Sequence, residues 1–175
     1  MSHPPLIPTL ETERLVLRAP SASDLAAYTE FCTSDRSAGV GGPFSAGDAF
    51  DKLSAIIGHW SLRGFGRWMV ADKQTNAPLG IVGPIYPIEW PEPEIAWTVF
   101  APAEGRGIAH EAALAARAYV YGTLGWTTVI SCTLPDNVRS IALAKRMGAV
   151  QDESFIHPEY GELLVWRHPS PEALA

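Results

Sequence analysis

Cysteine is almost missing from this sequence: 175 residues hold two, Cys32 and Cys132, a hundred positions apart. With no C-x-x-C and no histidine pair near either, they form neither a zinc pattern nor a disulfide framework. Cys132 lies in the apolar run Val129-Ile130-Ser131-Cys132, which reads as the place of a buried, inert thiol. A reducing cytoplasm is the expected compartment. Charge is scarce as well. Asp, Glu, Lys and Arg make up 18% of the chain, against about 25% in an ordinary domain. Thirteen basic and nineteen acidic residues leave a net charge of −6. The basic residues form scattered pairs, such as Arg63/Arg67 and Lys145/Arg146, and no stripe, which argues against a nucleic-acid partner. Long apolar runs are absent too. The longest uncharged stretch, residues 118–135, is broken by two glycines, four threonines and a serine, so no membrane span is expected. The start, Met1-Ser2-His3-Pro4-Pro5, lacks the positive region and apolar core of a signal peptide.

What is present suits one globular domain over residues 1–175, with a core over about 10–167. The length is near the usual size of a single domain. A chain of this size buries on the order of 70% of its unfolded surface, so a core needs no metal or disulfide. Hydrophobic residues reach 47%. Residues 1–12 read as a loose lead-in, and 14–18 alternate as a half-buried strand. A short helix through Leu25, Tyr28 and Phe31 follows. Asp48 is expected to cap a second helix, in which Phe50, Leu53, Ile56, Ile57 and Trp60 recur at helical spacing. Strands are expected over 67–71, 79–86 and 94–99, and an alanine-rich helix over 107–121. Then come a strand over 127–134, a helix over 138–147 ended by Gly148, and two closing strands. The order is β-α-α-β-β-β-α-β-α-β-β: an α/β domain with a mixed sheet of about seven strands and four helices.

The most informative segment is Glu104-Gly105-Arg106-Gly107-Ile108-Ala109-His110-Glu111-Ala112. It follows a strand and opens a helix, where the free N–H groups of the first turn and the helix dipole suit a phosphate. Gly105 and Gly107 put no side chain in the way, Ala109 keeps the approach open, and Arg106 can add a charge-assisted contact. No Gly-Lys-Ser/Thr follows, so this is not a P-loop. Position 110 is His where a dinucleotide fingerprint needs its third glycine. An ordinary tight turn is the competing reading.

Three blocks together resemble the GNAT acyl-CoA N-acetyltransferases, and within them the RimJ/RimL-like branch. The first is Leu10-Glu11-Thr12-Glu13-Arg14-Leu15-Val16-Leu17-Arg18, similar to that branch's opening strand. The second joins Glu94-Ile95-Ala96-Trp97-Thr98-Val99 to the glycine segment, similar to the family's fourth strand and its Q/R-x-x-G-x-G/A loop. The third, Asn137-Val138-Arg139-Ser140 through Gly148-Ala149, is similar to the N-x-x-S/A segment.

The resemblance implies a GNAT-like fold whose sheet splays between its fourth and fifth strands, and acetyl-CoA as co-substrate with no metal. The pyrophosphate would rest on Gly105, Arg106, Gly107, Ile108 and Ala109. Main-chain groups of Trp97, Thr98 and Val99 would hold the pantetheine arm, with Asn137 on its other side. An amide near Val99 would polarise the thioester carbonyl. Glu94 is the expected base for the attacking amine, with Glu92 as understudy, and Ser140 or water would return a proton to the thiolate. Two departures stand out. Glu104 occupies the Gln/Arg position and is expected to point away from the phosphates, towards the helix start. Ala144 stands where many relatives carry a tyrosine. Phe44, Trp60, Trp68, Tyr86 and Trp90 are the aromatics offered to an acceptor groove, and His59 reads as a packing histidine.

The implied activity is acetyl transfer to a primary amine, either a protein N-terminus or a small molecule. A homodimer is compatible with the resemblance. The alternative is a non-catalytic acyl-CoA-binding or regulatory module that keeps the fold, which Glu104 and Ala144 favour. A nucleotide-binding regulatory domain would rest on the glycine loop alone.

Overall fold

In the computed structural model, which describes residues 6–175, the alternation after Arg14 becomes strand β2 (Leu15–Arg18), with Leu15 and Leu17 fully buried. It is preceded by a two-residue strand, β1 (Leu10–Glu11), inside the expected lead-in. Thr12 turns the chain back by accepting the Leu15 N–H at 3.0 Å, so residues 10–18 are a hairpin rather than one strand. Helix α1 (Leu25–Thr33) and α2 (Ala46–Arg63) follow. The cap of α2 is Ser45 and not Asp48. Ser45 Oγ accepts the Asp48 N–H and Asp48 Oδ2 accepts the Ser45 N–H, both at 3.0 Å, a reciprocal box that starts the helix a turn earlier than expected.

Three antiparallel strands come next: β3 (Trp68–Asp72), β4 (Pro78–Ile85) and β5 (Glu94–Val99). Helix α3 (Ile108–Gly122), β6 (Ile130–Thr133), α4 (Val138–Arg146), β7 (Val150–His157) and β8 (Gly161–Arg167) complete the domain, with a last turn, α5 (Pro171–Leu174). The described residues thus hold eight strands and five helices, where seven and four were expected. The additions are β1 and α5, both too short for a hydrophobic period to announce them. The sheet runs β1-β2-β3-β4-β5-β6-β8-β7. Alanines 112, 113 and 116 of α3 lie against Trp68, Val82 and Ile95 on one face. On the other, Tyr28, Phe31, Leu53 and Ile56 cover Met69 and Ile81.

Every pairing is antiparallel except β5 with β6, whose register holds one pair, Glu94 with Ile130. A parallel ladder would next take the Cys132 N–H to Ile95 O. That N–H instead reaches the Glu94 side chain, at 2.7 Å from Oε2, and Ser131 Oγ donates to Ile95 O at 2.6 Å. Two side chains have replaced the next main-chain bond, and beyond them the strands part. The fork expected between the fourth and fifth strands falls here, one number later because of β1.

Candidate active site

The fork opens into a cavity of about 1200 Å³, bounded by the start of α3, the edge of β5, α4 and the α1–α2 loop. Its first part is built from backbone. After β5 the chain makes a 3-10 turn, Ala101–Ala103, and Gly105 and Gly107 take φ of 70° and 74°. That left-handed conformation is cheap only for glycine. Gly107 caps α3, whose first main-chain bond is Glu111 N–H to Gly107 O at 3.1 Å. The N–H groups of Ile108, Ala109 and His110 therefore have no partner in the preceding turn, and all three residues line the cavity. Arg106 does not follow the expectation: its Nη1 donates to Pro102 O at 3.1 Å, folding the side chain back on its own loop. Arg14 braces the loop instead, donating to Arg106 O at 3.0 Å and pairing with Glu111 at 2.7 Å.

The edge of β5 supplies the second part. Phe100 N–H donates to Leu79 O, so strand alternation directs the main-chain groups of Thr98 and Ala96 to β4 and those of Trp97 and Val99 towards the fork. Of the three residues expected to bind an arm through main chain, Thr98 is thus committed to the β4 ladder. Trp97 Nε1 donates to Ser140 Oγ at 3.2 Å, leaving the Ser140 hydroxyl hydrogen for another acceptor. Asn137 Oδ1 accepts the Ser140 N–H at 3.2 Å and caps α4, so only its NH₂ faces onward. Ala144 is fully buried beside Trp166, in no space for a tyrosine.

The third part is built from side chains. Glu94 is 5% exposed. Its carboxylate accepts from Cys132 N–H at 2.7 Å and from Trp90 Nε1 at 3.0 Å. Burial raises its pKa to about 7, against the pull of those two donors and of the Arg67 charge. Trp90 packs edge-on against His157, with ring centroids 5.0 Å apart, and His157 stacks on Tyr160 at 4.7 Å. His157 Nδ1 accepts the N–H groups of Glu159 and Tyr160, which folds the β7–β8 turn over this wall. Trp90 was offered to an acceptor groove by the sequence, but the wall it forms with His157 and Tyr160 went unread. Its one local signal is the Trp90-x-x-x-Glu94 spacing.

Other expectations divide. Phe44 and Trp90 line the cavity; Trp60 and Trp68 are core, at 2% and 0% exposure, and Tyr86 lies under Arg63. His59 is fixed in packing, its Nδ1 on Phe65 O and its Nε2 accepting the Tyr86 N–H. Glu92 is held by Arg167 through two bonds of 2.6 and 3.0 Å and is no understudy for a base. Glu104 does not serve the helix start. It pairs with Arg36 and Arg139, closing a clasp between the α1–α2 loop and α4 at the cavity rim. Cys132 also lines the cavity, only partly buried, and burial beside Glu94 raises its thiol pKa.

Among the described residues, no group of three or more His, Cys, Asp or Glu is arranged to hold a metal, and no helix is long and apolar enough to cross a membrane. Residues 14–150 match the GNAT acetyltransferase domain model. An acetyltransferase from Agrobacterium tumefaciens str. C58 is 36% identical, with a TM-score of 0.85 over 93% of this chain and 95% of that one. A GnaT-family acetyltransferase from Bordetella pertussis gives 24% identity and a TM-score of 0.78, over 93% and 99%. A RimL ribosomal L7/L12 α-N-protein acetyltransferase in complex with coenzyme A gives 16% and 0.73, over 92% and 97%; at such identities the likeness is one of fold. The forked sheet, the glycine turn at the head of α3 and the family match together establish that this chain belongs to the GNAT acetyltransferase family.

Proposed function

We propose that the protein moves an acetyl group from acetyl-CoA to a primary amine, of a protein N-terminus or a small molecule, by direct attack. The observation that carries this reading is one cavity that joins an anion-favouring helix start, an unpaired strand edge and a buried carboxylate with a pKa near 7. The RimL likeness supports a coenzyme A ligand for such a cleft.

The N–H groups of Ile108, Ala109 and His110 receive the pyrophosphate. Trp97 and Val99 pair with the pantetheine arm as an absent strand would. The bound thioester supplies an activated acyl group. The Val99 N–H faces the place where negative charge develops on the carbonyl oxygen. Glu94 takes the proton of the attacking amine, and its pKa near neutrality suits it to do so at physiological pH. The Ser140 hydroxyl, held by Trp97, returns a proton to the departing thiolate.

Thermal-shift titration with acetyl-CoA, coenzyme A, ATP and NAD tests the cleft. A ligand present at 100 times its Kd adds about 2.7 kcal/mol, so stabilisation by the two coenzyme A forms alone is expected. No response to them, or a response only to ATP or NAD, sinks the reading. Release of free thiol with an amine panel then separates a transferase from a module that only binds.

A further inference from the structure

Arg67 stands just before β3, and the chemistry above uses its side chain only as a charge acting on Glu94. Among the described residues no carboxylate forms an ion pair with it. Its Nε is buried and lacks a hydrogen-bond partner. A guanidinium offers five N–H donors and stays charged at any working pH, so a sheltered one without an acceptor invites an anion. Arg67 lines the same cavity as Glu94.

The sheet places the two groups relative to each other. Trp68 pairs with Val82, which sets Arg67 beside Gly83, and Gly83 pairs with Ala96. A Cβ on Gly83 would come within 2.8 Å of the Arg67 Cα and of Gly66 O, and its φ of +149° also favours glycine. The row crossing the sheet is therefore Arg67, Gly83, Ala96, with Gly83 letting the β3 backbone come close and Ala96 lining the cavity beside Arg67. One step along the strands, Ile85 pairs with Glu94. Arg67 and Glu94 share a face, two strands and two residues apart, or about 12 Å between Cα atoms at ordinary sheet spacings. Both side chains line the one cavity, and the Arg67 charge acts on the Glu94 carboxylate across it. Tyr28 and Cys32 line the cavity with Arg67, and burial raises the Tyr28 pKa to about 12, so the phenol brings no competing charge.

We infer that the acceptor is an amino-acid-like molecule, whose carboxylate pairs with Arg67 while its amine lies at Glu94. This deepens the transferase reading and rests on it. A peptide amide next to the amine would leave the guanidinium unpaired, so free amino acids are favoured over peptide N-termini. The Arg67 fork fits a planar carboxylate through two parallel N–H donors, and such bidentate pairing is the geometry that lysine cannot copy.

The experiment uses matched sets: an L-amino acid, its amide and its decarboxylated amine, over a range of side chains, with acetyl-CoA saturating and thiol release as readout. The free acid of at least one set is expected to exceed its amide in kcat/KM by roughly 10- to 150-fold, the range of a charge-assisted hydrogen bond. R67Q flattens that ratio towards one, and R67K keeps part of it. The same sets are run as a binding assay, thermal shift with coenzyme A present, which does not need turnover. There the acid stabilises the wild-type complex and the amide does not. Amides or peptide N-termini used as well as free acids overturn the inference and leave the transferase standing. So does an acid preference that survives in R67Q. If coenzyme A binds but no amine releases thiol, the transferase reading fails. The binding arm then decides this one, and the absence of any shift by a free acid overturns it.

Discussion

On one side of the cleft the ligand-facing groups are main chain: the edge of β5 at Trp97 and Val99, and the first N–H groups of α3. On the other side they are side chains gathered from four separate segments, with Glu94 on β5, Arg67 at β3, Trp90 before β5 and His157 with Tyr160 around the β7–β8 turn. The backbone half depends on conformation, and its residue identities matter mainly where glycine is needed. The side-chain half depends on identity at every point. Under the proposed function, the first side would hold its ligand through many changes of sequence, while the second would change its acceptor with a few substitutions.

That contrast can be broken most sharply at Glu94. Glu94→Gln is expected to lower kcat by about 10²–10⁴-fold, the usual weight of a general base, with acetyl-CoA affinity within about twofold in a direct binding titration. A parallel loss of affinity would mean that the two halves are not separable. The wild-type rate should rise with pH through about 7, because the carboxylate is the form that accepts a proton. Stability should move the opposite way. The carboxyl pKa is raised from 4.5 to about 7 on folding, so the folded state holds its proton longer, and the Tm contribution from this site falls as pH climbs through that window. In Glu94→Gln both trends should vanish.

The next largest effect is expected from the backbone half. Gly107→Val forces a branched residue into φ of 74°, a conformation that costs about 1–2 kcal/mol or more. Acetyl-CoA Kd should rise about tenfold or more by calorimetry, with kcat at saturation little changed. A kcat defect at saturating coenzyme would show that the turn also shapes the reacting centre. The smallest effect belongs to the rim. Glu104→Ala removes an acid from the path of the phosphates and frees Arg36 and Arg139. Exposed pairs of this kind are worth up to about 1 kcal/mol, so Kd should tighten about two- to fivefold at low salt, and the gain should shrink as salt is added.

The same contrast explains what could be read from the residues alone. The strand–turn–helix at 104–112 and the order of elements follow from local signals, namely glycine placement, alternation and helical spacing, whereas the fork was expected from the family resemblance alone. Ser45 was missed as a cap because Asp48, three residues on, is an equally good cap by type, and the box needs both. Thr98 was grouped with Trp97 and Val99 because sequence does not say which neighbour strand takes the even positions. Arg67 and His157 carry no local signature. A lone arginine before a strand resembles any solvated cation, and only closure of the sheet and of the β7–β8 turn encloses them. Glu104 was expected at its own helix, yet its partners lie 68 and 35 positions away.

Glu94 does more than titrate, since its carboxylate holds the Cys132 N–H that would otherwise carry the β5–β6 ladder forward. The aperture and the proposed proton acceptor are therefore a single unit. A change at position 94 that discards the acceptor oxygen, as alanine would and glutamine would not, also returns an amide to the neighbouring strand, which is then at liberty to zip towards β5. Inactivation along this route would come with a narrowed slot, so a descendant that lost its chemistry by substitution here would tend to lose its ligand as well.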